Sequence, residues 1–154
     1  MTWDTVPLGE VVDILSGFAF DSTGFGDAGE MPIARIRDVV KGVSKTYFTG
    51  AYDNRYVLED GDLLIGMDGE FNRGTWRGGP ALLNQRVCNV AARPDRVDAR
   101  FLYHVLPAAL AKIEHATPFV TVKHLSVRVL RDAPIPLPPL PEQRRIAAIL
   151  DEAD

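Results

Sequence analysis

Five prolines fall within residues 134–141 of the closing stretch "APIPLPPLPEQRRIAAILDEAD". Each lacks an N–H and fixes its φ, which bars helix interior and central strand alike. The segment reads as a stiff connector with little donor capacity. Helix becomes possible only where the run ends. Pro141 suits a first-turn position, where its missing N–H has no partner in any case, and Glu142 meets the positive end of the helix dipole. Ile146, Ile149, Leu150 and Ala153 then follow the i, i+3, i+4, i+7 stripe of an amphipathic helix, with Arg144, Arg145, Asp151 and Glu152 opposite. No Gly or Pro closes the pattern, and its last turn carries acids where bases are favoured. The chain therefore divides into a globular part, 1–140, and the start of a helix, 141–154, that reads as truncated. That helix either docks on its own domain or pairs with another through the Ile146, Ile149, Leu150, Ala153 stripe.

Upstream, "VPLGEVVDILSGFAF" predicts a helical turn and then a strand. "PIARIRDVV" alternates, predicting a strand with Arg35 and Arg37 on one face. "LEDGDLLIGMDG" predicts a turn at Asp60-Gly61 and a buried strand over Leu63–Met67, "EFNRGTWRGGP" a loop or hairpin tip, and "RVCNVAA" another strand. A second helix starts at an Asp98 N-cap, lines up Phe101, Leu102, Val105, Ala109 and Ile113, and carries Pro107 as a kink point. "FVTVKHLSVRVL" is a short mixed segment. The fold class is α+β: one globular domain with a mixed β-sheet and flanking helices, followed by a protruding C-terminal helix.

The 154 residues can bury one core, and apolar and charged shares of 46% and 25% are ordinary for a soluble protein. The single cysteine, Cys88, excludes an internal disulfide and suits a reducing compartment. The N-terminus lacks the features of a signal peptide, and no apolar run is long enough to span a membrane; a cytoplasmic domain is expected.

The net charge of −4 argues against nucleic acid, but it averages over a gradient. Residues 1–34 hold six acids and no Lys or Arg, whereas residues 71–131 hold ten Lys or Arg against three acids. A phosphate backbone responds to the local patch.

Catalytic signatures fail. Gly24, Gly26 and Gly29 match GxGxxG, but a strand rather than a helix follows, so no helix N-terminus awaits a pyrophosphate. His104, His115 and His124 have no metal-ligand spacing with Cys88 or one another. The acids around Asp60 are explained by turn chemistry. No catalytic residue and no metal site is assigned.

Three stretches, "WDTVPLGEVVDILSGFAF", "YVLEDGDLLIGMDG" with "ALLNQRVCNV", and "PIPLPPLPEQRRIAAILDEAD", together resemble the target recognition domain of the specificity subunit of type I restriction–modification systems. The resemblance covers nearly the whole chain. It implies a non-catalytic reader of double-stranded DNA that recognises one half of a split target. Its partners would be a methyltransferase (M) subunit, which alone would bind S-adenosylmethionine, and a restriction (R) subunit. In that family two such domains are joined by long helices that pair antiparallel. The short helix here implies an excised domain, a half-subunit that forms a homodimer, or a gene fragment.

The residues add candidates of their own. Asn72, Arg73, Thr75, Trp76 and Arg77 lie in a Gly-bounded loop within the basic stretch. Arg suits guanine and Asn adenine, while Trp76 either stacks or wedges at DNA or folds back onto the core. Lys123, His124, Ser126 and Arg128 are candidates for the DNA backbone, at a helix start whose N–H groups would face phosphate. Asn84, Gln85 and Arg86 read first as a structural hydrogen-bond network, with Gln85 and Arg86 as secondary base-contact candidates. Two other readings compete: a protein–protein module docking through its connector or exit helix without DNA contact, and the recognition part of a fused methyltransferase–nuclease. Clustered positive charge favours the DNA reading.

Overall fold

The computed structural model describes residues 3–116 and 123–153. In chain order the elements are β1 (Thr5–Pro7), β2 (Val12–Ser16), β3 (Phe25–Gly26), β4 (Met31–Ala34), β5 (Tyr47–Phe48), β6 (Val57–Leu58), β7 (Leu63–Gly66), β8 (Arg73–Thr75), β9 (Ala81–Leu83), β10 (Val87–Ala92), α1 (Ala99–Ala116), α2 (Val127–Asp132), β11 (Pro134–Pro136) and α3 (Leu140–Ala153). Two compact units result, one from Met1–Ile14 with Ala91–Asp154, the other from Leu15–Val90. The chain passes between them along β2 and β10.

In the first unit the proline run does pair, at an edge. β11 lies antiparallel to β1, with Val6 opposite Ile135. Ile135 is fully buried between the two prolines, so the donors the prolines lack are not needed by an inner strand. The α1 start is capped as expected, Asp98 Oδ2 accepting from Phe101 N at 3.0 Å. Phe101, Leu102, Leu106, Ala109 and Leu110 are buried, and the helix runs on through Pro107.

The exit helix docks on its own unit by one face. Gln143, 1% exposed, accepts from Asp98 N through Oε1 at 2.8 Å and donates through Nε2 to the carbonyls of Arg96 and Pro138. One turn on, Ala147 is buried. A further turn brings Asp151 to Arg100 at 2.8 Å and to His104 Nε2 at 2.6 Å. The Arg100 guanidinium, then His104, hold the Asp151 carboxyl below the usual range. Ile149 and Leu150 remain exposed, and Ile146 is half-buried.

The second unit holds a five-stranded sheet ordered β3-β5-β4-β9-β6, and most of a four-stranded sheet ordered β2-β10-β7-β8. Within the five-stranded sheet β4 and β9 pair in parallel, Ile33 opposite Leu82. Trp76, Leu64, Leu83 and Val87 anchor one core cluster; Phe20, Ile33, Phe48 and Leu82 form another. Gly24 closes a 3-10 turn and Phe25–Gly26 enters a strand, so the GxGxxG match is a turn.

The expected strand over "PIARIRDVV" is shorter than its alternation suggests. β4 stops at Ala34, and Ile36–Asp38 forms a 3-10 turn in which Asp38 Oδ2 accepts from Arg35 N at 2.9 Å. This carboxylate cap ends the strand. Arg35 and Arg37 therefore share no strand face: Arg35 donates to Thr46 Oγ1, and Arg37 is exposed.

Candidate nucleic-acid interface

β8 is the last strand of its sheet, pairing with β7 through Leu63–Thr75, Leu64–Gly74 and Ile65–Arg73. Its other side receives the chain just after the 3-10 turn. A Cβ on Gly74 would lie 1.9 Å from Val39 O, and one on Gly42 would lie 2.3 Å from Thr75 O. Gly42 also has a φ of 75°, which favours glycine. Two backbones thus touch where neither residue can carry a side chain. Arg77 fastens this junction by donating twice, from its backbone N to Gly42 O at 2.7 Å and from Nη2 to Lys41 O at 2.9 Å.

The junction brings Lys41 to Arg77 and lays Val40 against Gly74; Val40 and Lys41 are exposed, as is Arg37 in the preceding 3-10 turn. Val40 is 66% exposed. Lysine and arginine suit phosphate and guanine, and an exposed aliphatic group suits a thymine methyl. Sequence patterning does not group these three with the loop, because Arg37 and Val40 fall in an apparent strand and the approach to β8 is non-local. The clue in the sequence is the pair of glycines, Gly42 and Gly74.

The expected base-contact loop contributes only part of itself to this face. Asn72 and Arg77 are exposed; Arg73 and Thr75 are half-buried in β8. Trp76 is not at the surface. It has no exposed area, and its indole N–H donates to Gly79 O at 2.7 Å. Its side chain cannot stack on or wedge into DNA, because it fills the core beneath the loop.

The second cluster of candidates lies in the other unit. Lys123 Nζ donates to Glu114 O at 2.8 Å, tying down the end of α1. Ser126 caps α2, its Oγ accepting from Val129 N, so an N–H expected to face phosphate is already taken. His124 and Arg128 line a groove of about 660 Å³ with Lys112, Val129 and Asp132. Of the expected mixed segment, the residues before Lys123 lie outside the described residues.

Gln85 and Arg86 are exposed at a tight turn between β9 and β10. Arg86 Nε lies 3.4 Å from Asp68 Oδ2. Cys88, just beyond, is fully buried, and burial pushes its thiol up to about 12. No cluster of three or more potential metal ligands occurs among the described residues, and no described helix is long and apolar enough to cross a membrane.

The scaffold is α+β, with its own helix appended. The whole chain, residues 1–154, matches the type I restriction modification DNA specificity domain, and it belongs to that family. It is similar to the Type I restriction enzyme EcoBI specificity subunit of Escherichia coli, 46% identical over 151 residues, which are 97% of this chain and 32% of that protein. It is similar also to the Type I restriction enzyme MjaVIII specificity subunit of Methanocaldococcus jannaschii, 30% identical over 168 residues, covering 99% of this chain and 39% of that protein. The fold is shared with the HsdS subunit from Thermoanaerobacter tengcongensis, at a TM-score of 0.74, 22% identity, and coverage of 97% of this chain and 37% of that one. The chain thus spans well under half the length of the relatives it matches. Its family is one of specificity domains rather than of catalysts.

Proposed function

We propose that the chain binds double-stranded DNA sequence-specifically, reading one half of a bipartite target for a type I restriction–modification complex in the cytoplasm. The observation that carries this reading is the interlock at Gly42 and Gly74, a rigid junction at which the exposed Lys41 meets Arg77 and the exposed Val40 lies against β8, with Arg37 exposed in the turn before it. Rigid presentation of such groups is what base readout needs. Chemistry is left to partners: a methyltransferase subunit, which would hold S-adenosylmethionine, and a restriction subunit. The exposed Ile149 and Leu150 of α3 support a role for that helix in pairing, whether with a second copy or with a partner's helix.

Selection from a random duplex library at low salt tests the reading. The expected result is enrichment of one short motif of roughly three to five base pairs, the span of one small module. Arg77→Ala is expected to weaken preference at one of those positions by about 1–3 kcal/mol. Binding that depends on salt but not on sequence would refute it.

A further inference from the structure

The Asn84–Arg86 turn breaks two local rules in three residues. Arg86 has a φ of 68°, the one positive value at a non-glycine among the described residues. Glycine adopts that conformation without the penalty an L side chain meets. Asn84 is 8% exposed, yet its Oδ1 has no hydrogen-bond partner, where buried polar atoms are almost always paired.

The turn is nonetheless held firmly. Gly17 N donates to Val87 O at 2.9 Å, Phe18 N to Leu83 O at 3.1 Å, and Met67 N to Arg86 O at 2.8 Å. A Cβ on Gly17 would fall 1.8 Å from Asn84 O, so the two backbones meet directly. Backbone strain at a non-glycine residue in an otherwise firmly held turn points to a role for that side chain beyond folding. At its tip the Arg86 side chain is 59% exposed, and Asp68 engages the Nε edge of the guanidinium. That contact draws the Nε edge towards Asp68 and leaves the terminal Nη donors for a ligand. A planar fork matches two acceptors side by side.

We propose that Arg86 is a specificity-determining residue, donating to O6 and N7 of one guanine in the major groove, with Asp68 and the strained turn as its positioning elements. The inference rests on the DNA-reading function proposed above and adds a base and a residue to it.

Arg86→Gly separates folding from recognition, because it relieves the backbone and removes the guanidinium together. The variant is expected to melt at or above the wild-type temperature. Its preference for guanine at one position of the selected motif should drop about 10- to 100-fold, the others being retained. Arg86→Lys keeps the charge but not the fork and should lose the same preference; Asp68→Asn should lose part of it. The proposal is overturned if folded Arg86→Gly or Arg86→Lys selects the wild-type motif. It is overturned equally if affinity falls uniformly across all sequences, the mark of a phosphate contact. If the wild-type chain enriches no motif, the DNA reading itself fails and this assignment with it. That outcome is distinct from a motif that survives the loss of Arg86.

Discussion

The Trp76 indole lies in a core cluster with Leu64, Leu83 and Val87 and spends its one polar group on Gly79 O. Trp76→Ala is expected to cost about 3–5 kcal/mol in urea unfolding, the usual penalty for truncating a large core side chain. Trp76→Phe should cost less while leaving Gly79 O short of its donor. Cys88 allows a pH test of the same core. Burial raises its thiol from 9.0 to about 12, so both folded and unfolded chains keep the proton below pH 9. Above that the unfolded chain releases its proton first, and stability falls until the folded thiol also ionises near pH 12. The slope is at most about 1.4 kcal/mol per pH unit. Cys88→Ala should lack this part of the alkaline decline, and a native chain should resist thiol-alkylating reagents at pH 8.

At the scale of elements, α3 is tied to its unit at both ends of one face, by Gln143 and by Asp151. Gln143→Leu keeps the volume but strands Asp98 N–H and two carbonyls, at an expected cost of about 2–4 kcal/mol in denaturant unfolding. Asp151 works by charge. Its folded carboxyl is held low by Arg100 and His104, so its contribution is present above the ordinary value of 3.8 and is lost as pH falls from there through the lower folded value. Asp151→Asn should flatten that part of the acid limb of stability. What is legible in the sequence follows the same division. The Pro141 helix start, the Asp98 cap and the buried strands of "GDLLI" and "RVCNV" rest on local signals, and the structure has them. "PIARIRDVV" misleads because one side chain, Asp38, caps the turn after Ala34 and overrides the alternation. The face built by Gly42 and Gly74 depends on residues some thirty positions apart, so its members are invisible to periodicity. Trp76 shows the converse: a Gly-rich, polar setting in sequence conceals a core anchor.

At the scale of the molecule, the basic residues of the stretch 71–131 divide between the units, Arg73, Arg77 and Arg86 in one and the other seven in the other, so a net charge of −4 describes neither local field. Replacing Arg37 and Lys41 by Ala should lower the steepness of log affinity against log salt by about 0.9 for each phosphate no longer neutralised. Unaltered salt dependence would place the DNA elsewhere.

Residues 15–90 leave the first unit along β2 and return to it along β10, and these two strands are neighbours in one sheet. The entry and exit of that stretch are therefore side by side, like the two ends of a cassette. A genetic exchange with breakpoints near codons 15 and 90 would import another relative's reading face while retaining the Gln143 and Asp151 ties of the exit helix. Such a hybrid is expected to fold and to take its DNA preference from the donor of the cassette. New recognition could then arise by recombination within a single domain, without any change to the part that carries the helix.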